Sequence, residues 1–475
     1  EDDETPRKRR KTGPAGKAIK EASSKKGRKS AADTFNELKE NFEENYIFQA
    51  LNDAEVSISE LANDWVQTYK AHKDLAKKDL INLILNAVGC FTKIEEHDVS
   101  NNESASETVS EIQTFFKRQK NHEFYLASKK PDYKHLKKNF INFMNEIISI
   151  SDENGLLYEN IVISEEDDED VEEPEDSNLM EDLLIWLSSF SVSYIRALRY
   201  ISTLSLLNIE TTLCRIIVKV NSSLEKFKHQ LEVEQKKAKA TTKAAKKRIA
   251  QIESNVTQYS NQSLILENTI QDILNTTFIH RFKDIDYQIR VEAMGALGEW
   301  MDTYPELFFK VTYLKYLGWV LSDENASVRS QVIKTLIKLL KKNIIVTGLR
   351  QFFERFKTRV IEIAFHDVDH HVRTSAINLL IEINKVGFLE DEEIGKVSSL
   401  IFSSKDSKII QLVSKFIQTV ESENTKATLE ALSVNIKSCE KLFPINLRDL
   451  IKIHNLIEIL TVANEVYSEN QPKQS

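Results

Sequence analysis

From Thr34 onward the chain places apolar residues at helical spacing, as in Ile58, Leu61, Trp65 and Tyr69, and again in Leu80, Leu83, Ile84 and Ala87. A recurrence every three to four residues puts those side chains on one face, so each run predicts an amphipathic helix. Leu183, Trp186, Leu187 and Phe190 open another buried helix, which leads into a long one rich in Leu, Ile and Val up to Val233. Apolar positions then thin out across Glu232 to Ser254, and the stripe resumes at Ile249, Ile252, Val256, Tyr259 and Leu264. Two long antiparallel helices joined near Thr241-Thr242 and projecting from the body explain this pattern; one continuous helix is the alternative. The polar stretch His97 to Glu107 reads as a loop.

A longer period governs the second half. Asp284, Asp323 and Asp367 are each followed, five and six residues on, by a β-branched residue and an arginine: Ile289-Arg290, Val328-Arg329 and Val372-Arg373. The arginines stand 39 and 44 residues apart, the repeat length of HEAT-type helical hairpins, which bury their apolar faces only by stacking. In such a stack the Asp is expected to cap the next helix while Arg of one unit reaches Asp of its neighbour, forming a ladder. A weaker unit follows at Asp406, with Ile409, Ile410, Leu412, Val413 and Phe416 in helical register and no matching Arg.

With only 11 Gly and 7 Pro in 475 residues, strands and tight turns lack punctuation. The expected class is all-α, a HEAT-repeat α-solenoid with a protruding long antiparallel helix pair and a disordered basic N-terminal tail. The expected organisation is a tail at 1–32, an N-terminal helical region at 33–206, the paired helices at 207–270 and HEAT-like repeats at 271–475. An acidic insertion falls near 164–178, where positions 165–176 hold ten Asp/Glu; it reads as a solvated linker, or as a shield for a basic patch. The chain begins with Glu1, as expected of a piece of a longer protein.

Charge sharpens the picture because it is uneven. The formal net charge is −9, yet residues 1–30 carry 11 Lys/Arg against 5 Asp/Glu, leaving the rest near −15. Arg7, Lys8, Arg9, Arg10 and Lys11 have the composition of a nuclear import signal. Cys90, Cys214 and Cys439 are isolated, without metal-ligand or disulfide spacing. No uninterrupted apolar run of about 18 residues occurs, so neither a membrane span nor a signal peptide is expected. Phosphate-binding glycine loops, a GxSxG elbow, HExxH and kinase motifs are missing, which argues against an enzyme and calls for no cofactor. His366, His370 and His371, interleaved with Asp367 and Asp369, make a zinc site conceivable, but they fall on a capping turn, and no metal is assigned.

Four blocks resemble a known family. Phe278-Ile279-His280-Arg281-Phe282-Lys283-Asp284, Gly298-Glu299-Trp300-Met301, Tyr313-Leu314-Lys315-Tyr316-Leu317-Gly318-Trp319 and Arg355-Phe356-Lys357-Thr358-Arg359 look like the stromalin conservative domain of cohesin STAG subunits, here at about 278–365. Phe140-Ile141-Asn142-Phe143 and the segment Ile195 to Leu204 extend the similarity. The resemblance implies a hook-shaped, chromatin-associated nuclear subunit that binds the kleisin, contacts DNA and supports sister chromatid cohesion alongside the cohesin ring, its loader and its regulators. The kleisin-binding body is expected to lie mostly beyond this chain. An exposed patch that docks aromatic motifs of regulators maps to Tyr316, Trp319 and Arg355; Trp65, Trp186 and Trp300 are expected in the core.

Two basic stretches are the candidate surface for double-stranded DNA. Lys117, Arg118, Lys120, Lys129, Lys130, Lys134, Lys137 and Lys138 face only Glu123 and Asp132 between them, a footprint suited to phosphates. Phe124, Tyr125 and Tyr133 lie among these lysines; packing is the simpler reading, base stacking the other. Lys334, Lys338, Lys341 and Lys342 share one helix face, opposite Val332, Leu336, Leu339 and Leu340. A third cluster, Lys236, Lys237, Lys239, Lys243, Lys246, Lys247 and Arg248, would sit at the hairpin tip. Without a compact helix-turn-helix or finger, the expected binding ignores base sequence. The rival expectation is a HEAT-type protein-docking scaffold with no direct DNA contact.

Overall fold

The computed structural model describes residues 31–119, 122–159, 161, 177–237, 243–342 and 346–438. The import-type run Arg7 to Lys11, Lys120, the acidic stretch 165–176, the turn near Thr241-Thr242 and Cys439 lie outside them. Among the described residues there are helices and no strands. The longer helices are α1 (Ala31–Asn41), α2 (Tyr46–Asn52), α3 (Ile58–Ala71), α4 (Lys73–Ala87), α5 (Ala105–Gln119), α6 (Leu136–Glu153), α7 (Leu179–Ser191) and α8 (Arg196–Lys237). Then come α9 (Lys243–Ile273), α10 (Tyr287–Thr303), α11 (Val311–Val320), α12 (Ala326–Lys341), α13 (Val346–His366), α14 (His370–Lys385), α15 (Asp391–Ser398) and α16 (Ser407–Ser438). The stretch His97–Glu107, expected as a loop, holds two short helical turns, Glu96–Val99 and Asn102–Ser104, and the start of α5. Local caps, Asp98 reaching back to the Glu95 amide and Asn101 accepting from Glu103, supply hydrogen bonds that apolar periodicity does not reveal.

Helices α8, α10, α12, α14 and α16 stack side by side as the second members of successive hairpins, with α7, α11, α13 and α15 as first members. The stack buries one continuous core, as repeats of this length must. Trp65, Trp186 and Trp300 are buried as expected, and each indole finds an acceptor: Ala76 O at 2.9 Å, Asn102 Oδ1 at 3.3 Å and Thr211 Oγ1 at 2.9 Å. Buried Asp182 on α7 accepts from Tyr69 at 2.5 Å and from Asn102 at 2.7 Å, tying α7 to α3 and to the turn before α5. Helix α8 contains an apolar window of mean hydropathy 1.4, 83% of it buried. Its partners are α6, α7, α9 and α10, so burial in protein accounts for its composition.

Beyond that core, α8 and α9 run antiparallel as a pair, held by Asn221–Ser263 at 2.6 Å, stacked Phe227 and Tyr259, and Glu234–Arg248. One continuous helix is thereby excluded.

The ladder forms along the ends of the second helices where they begin. Arg290 grips Asp323 through two hydrogen bonds of 2.7 and 2.9 Å, and Arg329 grips Asp367 at 2.8 and 2.7 Å. A third rung, unforeseen from the sequence, joins Arg199 to Asp284 at 2.9 and 3.2 Å. Each arginine also donates to the carbonyl six residues before it, Ser193, Asp284 or Asp323. Fork-to-carboxylate geometry satisfies most of each guanidinium's donors, which is what lets these charges be buried.

The expected capping role is corrected. The ladder aspartates do not cap; the residue two positions on does, Asp286 for α10, Asn325 for α12 and Asp369 for α14. Each ladder carboxylate instead accepts the amide of that capping residue at 2.8, 2.8 and 2.9 Å. The fourth unit follows the same logic with Asp406 as the cap. Ser404 stands in the ladder position, so Arg373 turns back to Ala364 O and His370 takes Asp406 at 2.5 Å. Ser193 plays the matching part at the other end, accepting the Ile195 amide. Asp367, Asp369 and Asp406 are thus committed to rungs, caps and an ion pair, the structural alternative to the conceivable zinc site.

Candidate nucleic-acid and partner-docking surfaces

The stretch from Lys117 to Lys138 is the end of α5, two short turns and the start of α6. Gln119 holds it to the end of α4 by donating to Gly89 O and accepting from Phe91 N, at 2.8 and 2.9 Å. Lys117, Arg118, Lys129, Lys134 and Lys138 are exposed and make no ion pair among the described residues. Lys130 is drawn to Glu123 at 2.7 Å, and Lys137 is half-buried between Glu292 at 2.6 Å and the Tyr200 hydroxyl at 2.8 Å. Five cations therefore remain for an external anion. The interleaved aromatics are packed: Phe124 meets Tyr200 edge-on, Tyr125 is buried and Tyr133 lies 4.5 Å from it.

The α12 ridge is less available than its helical register suggests. Lys338 bridges Glu299 and Asp302 of α10, at 2.9 Å each, and Lys342 pairs with Asp302. Glu299 additionally meets Arg215 of α8 at 3.5 Å. Burial pushes the Asp302 carboxyl pKa up, but the Lys342 and Lys338 ammoniums outweigh it and hold it below the usual range. Lys334 and Lys341 remain exposed. Lys341 joins Lys385 of α14 and Lys415 of α16 along a groove of about 620 Å³, where Lys385 is paired with Glu382. The sequence reading missed this groove; its signal was a lysine at the same position, the last residue, of both α12 and α14.

The hairpin-tip cluster straddles residues outside the description. Of its members, Lys236, Lys246, Lys247 and Arg248 are exposed, with Lys236 near Glu232 and Arg248 near Glu234, each at 3.9 Å.

Trp319 on α11 is 50% exposed, as only the family resemblance predicted. Its ring stands edge-on to half-buried Tyr316 at 5.6 Å, and Tyr316 rests on Phe282 and Phe278 at 4.8 and 5.3 Å. Lys315 lies 5.2 and 5.4 Å over the Tyr316 and Trp319 rings. On α13, Arg355 is exposed and sits 5.4 Å over the Phe356 ring. A Cβ at Gly318 would come within 2.2 Å of Phe356, so glycine is what lets α11 and α13 approach there. Lys315 and Phe356, quoted from the sequence only as parts of the family blocks and given no docking role there, are members of this surface.

Comparison with known proteins agrees with this architecture. A STAG domain matches residues 122–255 and a stromalin conservative domain residues 283–357. Cohesin subunit SCC3 of Saccharomyces cerevisiae is 39% identical over 420 residues, covering 83% of this chain and 36% of its own length. Cohesin subunit psc3 of Schizosaccharomyces pombe is 32% identical over 357 residues, 75% of this chain and 35% of its own. The solved structure of cohesin subunit Scc3 from Z. rouxii superimposes with a TM-score of 0.75 at 34% identity, covering 94% of this chain and 50% of that one. This chain therefore spans about a third of the curated relatives and half of the solved chain. With its HEAT-like solenoid, both matched domains and this similarity over most of its residues, the chain belongs to the STAG/stromalin family.

Proposed function

We propose that this chain is a non-enzymatic, nuclear part of cohesin that binds double-stranded DNA without reading its sequence and docks the complex and its regulators on chromatin, supporting sister chromatid cohesion. The observation that carries the DNA reading is the set of five exposed cations, Lys117, Arg118, Lys129, Lys134 and Lys138, without an ion pair among the described residues, on one short, anchored stretch. Lys334 and Lys341 add to it, and Lys385 and Lys415 continue the basic groove. Cations that contact phosphate release counterions, so affinity falls with salt at about 0.9 logarithmic units per contact.

The test is a salt series on a random duplex of about 30 base pairs. Changing Lys129, Lys134 and Lys138 together to Glu is expected to lower affinity at least tenfold and to flatten the salt slope by about 2 to 3. Reversing Lys338 and Lys342, already paired, should do less. If only removal of residues 1–32 weakens binding, or nothing binds, the protein-docking scaffold is the better description. The Lys338–Asp302–Lys342 network favours that second reading for the α12 face.

For partner docking, the proposed pair is exposed Trp319 on α11, as an aromatic anchor, and exposed Arg355 on the adjoining α13, as a guanidinium for a carboxylate of the same short motif. Alanine at both positions is expected to weaken binding of aromatic-motif peptides by about 2 kcal/mol or more, roughly thirtyfold. Unchanged affinity for every such peptide would remove the patch from the proposal. The kleisin and the cohesin ring are the further partners of this reading.

A further inference from the structure

A cluster of aromatic rings next to the basic stretch already holds an ammonium. Lys39, from α1, places its Nζ 5.2 Å from the Tyr125 ring centroid and 5.9 Å from that of Tyr133, with the Tyr133 hydroxyl at 3.4 Å. The two tyrosine rings are 4.5 Å apart, and Phe48 stands 5.9 and 6.4 Å from them. Phe48 and Tyr125 are buried, at 0% and 2% exposure, while Tyr133 and Lys39 are half-buried. The ring cluster is thus preformed, with Tyr133 and Lys39 its partly exposed members.

The ring faces themselves suit a cation. Aromatic faces carry negative potential that attracts ammonium groups within about 6 Å. The Tyr125 hydroxyl is buried and has no hydrogen-bond partner among the described residues. Burial pushes its pKa up, and Tyr133, Glu123 and Glu44 add to the rise, so the phenol stays neutral. On helix α1, which brings Lys39, Asn36, Glu37, Leu38, Glu40 and Asn41 are exposed, and Phe42 just beyond it packs on Phe91 at 5.5 Å.

We propose that Tyr125, Tyr133 and Phe48 form a receptor for alkylated ammonium groups, that Lys39 occupies it as an internal ligand, and that its external ligand is a methylated lysine on a partner peptide. A primary ammonium is strongly hydrated and loses water at a cost when it meets an aromatic face. Methyl groups spread the charge and weaken that hydration, so a trimethylated lysine outcompetes an unmodified one on the same rings. The rings lie within the Lys117–Lys138 stretch, beside the cations proposed for phosphate, and are distinct from the Trp319 patch.

The experiment titrates the whole chain, and the same chain carrying Lys39→Ala, with a short neutral peptide containing one trimethyl-lysine, followed by calorimetry or tyrosine fluorescence. A matched peptide replaces the quaternary ammonium by an uncharged tert-butyl group of the same shape. The Lys39→Ala chain is expected to bind the trimethyl-lysine peptide at least tenfold more tightly than the parent, and the tert-butyl peptide at least tenfold more weakly than the charged one. Adding Tyr133→Leu, which keeps apolar bulk at a half-buried position, should abolish the gain. No saturable binding, equal binding by parent and Lys39→Ala chains, or equal binding of the two peptides would overturn the proposal. The peptide comparison needs no second substitution, so it decides the matter even if the Tyr133 variant fails to fold.

Discussion

Alanine in place of Arg290 is expected to lower stability by about 3–5 kcal/mol, the usual loss when one member of a buried ion pair is removed. The guanidinium is 8% exposed, and it satisfies both oxygens of Asp323, itself 10% exposed, together with the carbonyls of Asp284 and Ile285. Its removal leaves a carboxylate in the stack with no counter-charge of comparable geometry. Lysine should not restore the loss, because a single ammonium cannot reproduce the two parallel hydrogen bonds. Lys338→Ala is the comparison: it also removes an inter-repeat cation, but one that is 46% exposed, where pairs contribute about 0–1 kcal/mol. Denaturation midpoints at unchanged cooperativity measure both. A shift for Arg290→Ala no larger than that for Lys338→Ala would show that the ladder does not hold the repeats together.

The second large effect is expected at Gly89, and it links stability to DNA binding. Gly89 has φ +74°, and a Cβ there would come within 2.1 Å of the Glu123 carbonyl oxygen. An L-residue is disfavoured in that backbone region by about 1–2 kcal/mol before any collision. Here the obstacle is main chain and cannot rotate away. Gly89→Ala is expected to cost about 3 kcal/mol in all, adding overpacking to conformational strain. Because the collision displaces the segment that carries Lys129 and Lys134, the variant should lose DNA affinity with no change in charge. Gly155→Ala is the control, since that glycine has φ +78° but open space around it; it should cost about 1–2 kcal/mol and leave DNA binding alone. Equal melting temperatures for the two alanine variants, or undiminished DNA affinity for the first, would dissociate the basic segment from its seat.

The parts of this molecule that repeat were legible in its sequence. The Asp–Arg spacing predicted the ladder because each hairpin must solve the same problem of joining to its neighbour. The rung Arg199–Asp284 escaped notice because the long pair α8–α9 separates its partners by 85 positions. The capping role was misplaced by two residues because the ladder aspartates are followed at that interval by another capping residue, Asp286, Asn325 or Asp369, and only geometry tells the two carboxylate tasks apart.

The candidate surfaces were less legible. Helical register rightly put Lys334, Lys338, Lys341 and Lys342 on one face, but the acids that engage two of them, Glu299 and Asp302, come from the preceding hairpin about 40 positions earlier. Counting charges along a local window cannot see such pairing. The exposure of Trp319 contradicts what its helical spacing alone suggests, and it was anticipated from the family resemblance.

The stack is built asymmetrically between its two edges. Where α10, α12 and α14 begin, they are clamped by buried two-point contacts; near the ends of α10 and α12, solvent-facing lysines bridge to Glu299 and Asp302. When the solenoid flexes, the clamped edge acts as a nearly inextensible spine, and the strain falls on the compliant edge, where lysine contacts can lengthen and re-form. Curvature is therefore adjusted by fanning the far ends of the helices about that spine, which opens or narrows the lysine-lined groove at Lys341 and Lys385 while the contacts between Arg and Asp keep their length.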